Sequence, residues 1–253
     1  MSEAYIFLGP TLSVADARAE LDAVYLPPVS AGDIFRLDGE NPRVVGIVDG
    51  CFEHVPSVWH KEIMWIMAQG VHVFGSASLG ALRAAELDSF GMRGVGRVYQ
   101  AVKDGTLDRD DEVAVAWEEG AGGYRALSEA MVSIRATLEA AHHGKVISDA
   151  ARDILATAGA GQPYRDRTWP ALLDAGKAAG ADPADLTAMR QWLPSGRVDQ
   201  QADDAVAMLR QMRDFLAGRP DPLRVPWTLA NTTRWLAAKE YADAASAGPR
   251  ADC

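Results

Sequence analysis

Residues 72–87 read His72-Val-Phe-Gly-Ser-Ala-Ser-Leu-Gly-Ala-Leu-Arg-Ala-Ala-Glu-Leu87 and decide the fold class. Residues 72–74 predict a buried strand, residues 75–80 a tight turn rich in glycine and serine, and residues 81–87 a helix. A strand that passes through a short turn into a helix is the building unit of a parallel sheet with helical crossovers. We therefore expect an α/β fold around this stretch.

The chain before this stretch repeats the same alternation. Residues 4–8, 23–26 and 43–48 predict buried strands, Ser13 predicts the N-cap of a first helix, and residues 57–69 predict a second, largely apolar helix. The N-terminal half is therefore predicted to form a mostly parallel sheet with flanking helices. Ligands bind such sheets at the carboxyl ends of the strands.

The pattern changes to long helices at about residue 124. Helices are predicted at residues 124–142, 147–157, 169–179, 183–192, 198–216 and about 229–245, with a frayed tail at 246–253. Residues 91–96 lack the glycine spacing of a dinucleotide site and are interpreted as a joint between helices. The predicted division is an α/β core at 1–120, an all-helical region at 121–218, and a C-terminal helix and tail at 219–253.

Charge and hydropathy narrow the function classes. The net charge of -10 repels phosphate backbones, so the sequence predicts no nucleic-acid partner. The N-terminus has no basic region and no long apolar run follows, which predicts a cytoplasmic protein without a membrane span. His142 and His143 stand at a polar helix end, and we predict neither a metal site nor a cofactor.

The turn at residues 75–80 carries the one chemically suggestive pattern. Ser76-Ala-Ser78-Leu-Gly80 fits a small-x-Ser-x-Gly elbow, which lifts a nucleophilic serine out of the backbone. The amides of Leu79 and Gly80 are suited to hold an oxyanion beside Ser78. Two simpler interpretations stay open. Ser76 and Ser78 can merely cap the helix while Gly75 eases the turn, or the turn can bind an anion without reacting.

A serine nucleophile needs a base. The candidates in the first half are His54, His60, His72, Lys61 and Lys103, with Asp33, Asp49 and Glu62 as orienting acids. A lysine can serve only when it is uncharged, which an apolar setting favours. Lys61 lies among apolar residues of its helix and is the first choice, and His60 with Asp49 or Glu62 is the second.

Several ordered blocks resemble the TfuA-like core over about the first 120 residues. They are Pro28-Val-Ser-Ala-Gly-Asp33-Ile, Ile47-Val-Asp-Gly50, Pro56, Trp59-His-Lys-Glu-Ile63, residues 75–87, Phe90-Gly-Met92, Gly94-Val-Gly96 and Asp110-Asp-Glu-Val-Ala114. The resemblance implies an accessory protein of peptide backbone thioamidation. Such a protein hydrolyses the thiocarboxylate of a ThiS-like sulfur-carrier protein and delivers sulfide to a YcaO enzyme.

The resemblance also implies site residues. Its Ser-Lys pair falls on Ser78 and Lys61, and Arg83 is expected either to steer the anionic carrier terminus or to pair with a surface acid. The supporting positions are Asp49, Gly50, His60, Glu62, Ser76 and Glu86. The family turn usually reads Gly-Ala-Ser-Ser-Met-Gly, so the second serine is displaced to Ser76 here and either hydroxyl is a candidate nucleophile. The alternative function is a non-catalytic adaptor that brings the sulfur donor and the precursor peptide to YcaO.

Overall fold

The computed structural model describes residues 3–51, 55–120, 122–233, 235–237 and 239. The chain divides into two compact units, Met1–Thr106 with Asp204–Cys253, and Leu107–Asp203. The division predicted from the sequence, at residues 120 and 218, stays a prediction. Among the described residues, no helix combines the length and the apolar character that crossing a membrane requires.

A five-stranded parallel sheet is the centre of the first unit. Its strands are β1 (Ala4–Phe7), β2 (Val24–Leu26), β3 (Val44–Ile47), β4 (His72–Ser76) and β5 (Arg93–Val95), in the order β2-β1-β3-β4-β5. The register places Ile47 opposite Gly75 and Ser76 opposite Val95. In a sheet of this order the direction of winding reverses between β1 and β3, which is where ligand crevices form. The predicted α/β class is confirmed.

A helix follows each of the strands β1, β3, β4 and β5. These helices are α1 (Val14–Glu20), α2 (His60–Ala68), α3 (Leu79–Leu87) and α4 (Gly96–Lys103). The Ser13 hydroxyl accepts the Asp16 amide at 3.1 Å, so the predicted cap of α1 is confirmed. The longer helix α9 (Gln200–Ala217) also contributes, because its apolar residues Ala205, Met208, Leu209 and Met212 recur at helical spacing and join the core of the sheet.

The interpretation of residues 91–96 as a joint between helices is wrong. Strand β5 lies there and pairs with the end of β4. Its three residues are too few to show an alternating pattern. Gly94 weakens the signal further, because glycine is depleted in strands. Gly94 is required because a Cβ there would lie 2.1 Å from the ring of Tyr99.

The second unit contains the predicted helices and an unpredicted hairpin. Its helices are α5 (Met131–His143), α6 (Asp149–Ala160), α7 (Trp169–Ala178) and α8 (Pro183–Gly196). The hairpin joins β6 (Trp117–Gly120) to β7 (Gly123–Ala126), so the prediction of helix from residue 124 is wrong for its first residues. The ring of Trp117 meets that of Tyr124 across the two strands at 5.0 Å, a cross-strand pair that stabilises the hairpin.

A buried arginine connects separate parts of the second unit. Arg167 has no exposed surface and donates to the Asp111 carboxylate, to the Asp111 carbonyl at 2.6 Å and to the Gly159 carbonyl at 3.2 Å. A buried charge is tolerable only when it is paired and hydrogen-bonded in this way. Glu112 pairs with Arg135. Two acids of the run at residues 110–112, Asp111 and Glu112, therefore bind arginines of their own unit.

The predicted last helix is only partly covered. Residues 233, 235–237 and 239 are helical, whereas residues 240–253, with the predicted tail, lie outside the described residues. Before this helix the chain is attached to the first unit, because Leu223 donates to the Gly70 carbonyl at 2.7 Å and Arg43 donates to the Pro220 carbonyl at 2.8 Å. These bonds attach residues 220–223 to Arg43, just before β3, and to Gly70, just after α2.

Gly80→Ala tests how closely α3 packs on the sheet. A Cβ at Gly80 would lie 1.8 Å from the Ile47 carbonyl oxygen, and backbone atoms cannot rotate away. We expect a loss of about 3 kcal/mol or more in the free energy of unfolding, measured by urea denaturation. Gly105→Ala is the comparison in the same unit, since Gly105 has a φ of +77 but no neighbour within 4 Å. It should cost about 1 kcal/mol. Equal losses in the two variants would contradict the close packing.

Candidate functional site

The turn after β4 is strained at one residue. The Ser78 amide donates to the Ser76 carbonyl at 2.8 Å, which closes a three-residue turn around Ala77, and Ala77 has a φ of +66. A residue with a side chain in this region costs on the order of 1–3 kcal/mol, and such residues concentrate at functional sites. The strain turns the chain sharply enough that Ser78 becomes the N-cap residue of α3.

The two serines of the turn have different surroundings. The Ser76 hydroxyl is completely buried and donates to the Val95 carbonyl at 2.8 Å, with the Asp204 carbonyl 3.0 Å away. The Ser76 hydroxyl therefore links β4 to β5 and to α9 by hydrogen bonds. Ser78 is 4% exposed and stands at the start of α3. This geometry gives the Ser76 hydroxyl a role in the packing of the sheet, whereas Ser78 lies at the start of α3.

Glycines allow α3 to approach the sheet at this point. A Cβ at Gly75 would lie 2.2 Å from the Gly80 carbonyl, and a Cβ at Gly50 would lie 2.1 Å from the Leu79 side chain. The loops that follow β3 and β4 are therefore neighbours, as the order of the strands suggests. Gly50 and Gly75 contribute to the site because they have no side chain that would push α3 away from the sheet.

The close approach also decides which amides are available. The Gly80 amide donates to the Val48 carbonyl at 3.2 Å, and the Ala81 amide donates to the Ser78 carbonyl at 2.9 Å. Within the described part of the chain, the Leu79 amide makes no such bond. The Gly80 amide, one of the two that the sequence predicts for an oxyanion, is therefore already bonded to a backbone carbonyl.

Asp49 fastens the loops after β1 and β3 to each other. Its buried carboxylate accepts the Gly9 amide at 2.8 Å, the Thr11 amide at 3.2 Å and the Thr11 hydroxyl at 2.6 Å. The sequence predicts a role for Asp49 but not for Gly9 and Thr11. Their position directly after β1 is the signal that could have found them, since β1 and β3 flank the point where the winding reverses.

Lys61 contacts the C-terminal segment. Its Nζ donates to the Thr232 hydroxyl at 3.4 Å and lies 5.3 Å from the centre of the Trp235 ring. An aromatic face attracts an ammonium group. Among the described residues, no hydrogen bond joins Lys61 to Ser78. The Lys61 ammonium is therefore engaged with the C-terminal segment.

The structure brings His60, Arg83 and Glu86 together. One carboxylate oxygen of Glu86 lies 2.7 Å from His60 Nε2 and 2.8 Å from Arg83 Nη1. Burial acts to raise the pKa of Glu86, but His60 and Arg83 outweigh it and hold this pKa below its usual range. The surface ion pair considered for Arg83 is thus present. The acid beside His60 is Glu86 and not Asp49 or Glu62, the two acids that the sequence predicts there.

The other candidate bases are elsewhere. His72 begins β4, at the opposite end of that strand from Ser78, and its Nε2 lies 2.9 Å from the Asp221 carbonyl. Lys103 pairs with Asp88 at the end of α4. His54 lies outside the described residues. Among the candidate bases that the structure describes, His60 and Lys61 therefore remain.

Glu62 is a buried acid at the start of α2. It is 1% exposed, and its carboxylate accepts the Gly32 amide at 2.8 Å and the Trp59 amide at 3.3 Å. Burial raises the pKa of Glu62 to about 7, the two amides act in the opposite direction, and the nearby Asp33 raises it further. Glu62 therefore links α2 to the loop after β2, and its charge changes near neutral pH.

Glu62 should make stability depend on pH. Its folded pKa of about 7 exceeds the ordinary 4.5, so the folded protein keeps a proton that the unfolded chain has released. The free energy of unfolding should fall by about 3 kcal/mol as the pH rises through this window. Urea denaturation of Glu62→Gln from pH 4.5 to pH 7 should lack that fall. The exposed Asp22→Asn should keep it, and a slope unchanged in Glu62→Gln would contradict the assignment.

The parallel sheet and the strained serine turn at its carboxyl edge define the class of this protein, an α/β protein with a serine site between β4 and α3. Residues 49–168, just under half of the chain, match the family model described as TfuA-like protein. Over this stretch the chain is similar to TfuA-like proteins, in agreement with the resemblance of its sequence blocks. No curated protein matches the chain.

Proposed function

We propose that this protein is an accessory factor of peptide backbone thioamidation that releases sulfide from a thiocarboxylated sulfur-carrier protein. The TfuA-like match supports the coarser role, an association with YcaO-type thioamidation. The partners in this proposal are a YcaO enzyme and a ThiS-like carrier, with the precursor peptide as a further partner. The matched residues 49–168 include Ser78 and Lys61.

One observation carries the catalytic part of the proposal. Ser78 stands at the end of a strained turn, next to the Leu79 amide at the start of α3. The start of a helix favours negative charge, and an amide aimed at a developing oxyanion lowers the barrier to acyl transfer. A hydroxyl beside such a donor is suited to attack an acyl carbon.

The proposed reaction has two steps. Neutral Lys61 accepts the Ser78 proton while the hydroxyl oxygen attacks the thiocarboxylate carbon, and the Leu79 amide holds the resulting anion. The carbon-sulfur bond then breaks, Lys61 returns the proton to the leaving sulfur, and hydrosulfide departs. Water hydrolyses the acyl-Ser78 ester, which restores the hydroxyl and leaves the carrier with an ordinary carboxylate.

Ser78→Ala and Ser76→Ala test the nucleophile. Ser78→Ala should reduce sulfide release from thiocarboxylated carrier by about 10³-fold or more, because no acyl-enzyme can form. Ser76→Ala should keep measurable release and lower the thermal unfolding temperature, because it removes the bond to Val95. Sulfide is measured colorimetrically and the carrier terminus by intact mass. Release at the wild-type rate by Ser78→Ala would reject the proposed mechanism.

Lys61→Met and His60→Gln separate the two candidate bases. Lys61→Met keeps the length of the side chain, so loss of the base should lower kcat by about 10²–10⁴-fold with little change in stability. His60→Gln should alter the rate much less, because the His60 ring faces Glu86. The reverse ranking of the two variants would assign the base to His60.

Two observations favour a second candidate function, a non-catalytic adaptor for YcaO. The Gly80 amide is bonded to Val48, and Lys61 contacts Thr232 and Trp235. A reconstituted thioamidation reaction distinguishes the functions. If the protein is a hydrolase, Ser78→Ala fails with thiocarboxylated carrier but is rescued by inorganic sulfide. If it is an adaptor, Ser78→Ala supports the carrier-dependent reaction as well as the wild type.

A further inference from the structure

The last turn of α5 gathers two histidines and a glutamate on one side of the helix. Glu139, His142 and His143 each offer a ligand atom, and these atoms all lie within 4.8 Å of one another. The spacing i, i+3, i+4 causes this, because residues three and four apart are neighbours on a helix surface. His143 Nε2 is already 3.0 Å from a Glu139 oxygen.

His142 has one ring nitrogen oriented by an acid and one without a partner. Its Nε2 lies 2.9 Å from an oxygen of Asp149, the first residue of α6. Its Nδ1 is buried and has no hydrogen-bond partner among the described residues. A hydrogen bond from Nε2–H to a carboxylate leaves the lone pair on Nδ1 and makes the ring a better ligand, which is the arrangement found around metal-binding histidines.

The charge around the cluster favours a cation. The cluster ends α5, and the C-terminal end of a helix attracts positive charge. Glu139 and Asp149 are two carboxylates, and Arg152 is the cation opposite them, 3.8 Å from Glu139 and 3.4 Å from Asp149. Arg152 therefore has three acidic partners, since it also pairs with Asp153.

We propose that Glu139, His142 and His143 bind a divalent transition-metal ion, with zinc as the best fit. Imidazole and carboxylate ligands suit Zn²⁺, whereas Mg²⁺ requires oxygen ligands. Zinc bonds of about 2.0–2.2 Å require the three ligand atoms to close up from their present spacing. Glu139 and His143 can do this by rotation, because their side chains are 49% and 73% exposed. Asp149 is a positioning residue that holds the His142 ring.

Calorimetric titration of the full chain with ZnCl₂ tests the site. We expect saturable binding of zinc and none of MgCl₂, and a higher thermal unfolding temperature with zinc because the ion binds only the folded helix end. His143→Ala and Glu139→Gln should each weaken zinc binding by at least about tenfold. Glu119→Gln, an exposed acid in the same unit, should leave it unchanged.

Arg152→Gln should change the affinity for zinc in the opposite direction to His143→Ala and Glu139→Gln. Removing the competing cation should tighten zinc binding severalfold, whereas an ordinary network of surface ion pairs would only lose stability. The proposal is overturned if the wild type binds no zinc, if His143→Ala and Glu139→Gln bind it as well as the wild type does, or if Arg152→Gln weakens it. These measurements use no sulfur carrier and do not depend on the function proposed for Ser78.

Discussion

The close approach of α3 to the ends of β3 and β4 is the constraint on which the rest of the site depends. Side chains at Gly75 and Gly80 would collide with the backbone, so only hydrogen atoms fit between the helix and the sheet. A helix this close to its strand leaves room for a turn of one or two residues. The turn is therefore sharp, and Ala77 has the left-handed φ that this geometry requires. Ser78 is held at the edge of the sheet as a consequence.

The same packing limits the chemistry of the turn. A helix that begins in open solvent has several free amides, but here Gly80 lies within hydrogen-bonding distance of the Val48 carbonyl. The packing that places Ser78 therefore also engages the Gly80 amide, one of the hydrogen-bond donors near Ser78. The reaction proposed for Ser78 therefore relies on the Leu79 amide and on the partial positive charge at the start of α3. Asp49 already fixes the loops after β1 and β3 in place.

Local features of this protein were predictable and nonlocal ones were not. The first four strands and the Ser13 cap follow from neighbouring residues, so the sequence predicts them well. Strands β5, β6 and β7 each contain a glycine and a charged residue, so they lack the apolar run from which the first four strands are predicted. The contacts of Lys61 with Thr232 lie beyond any sequence pattern because 171 positions separate the partners. The serine turn is recognised because its glycines and serines are adjacent.

The start of α2 shows how one helix turn connects three parts of the first unit. Successive residues of a helix point about 100° apart, so His60, Lys61 and Glu62 face three different neighbours. His60 reaches Glu86 on α3, Lys61 reaches Thr232 in the C-terminal segment, and Glu62 reaches the loop after β2. The Lys61 contacts are a long hydrogen bond and an aromatic ring, whereas Glu62 is buried with two amide donors. Lys61 is therefore held less firmly at the start of α2 than Glu62 is.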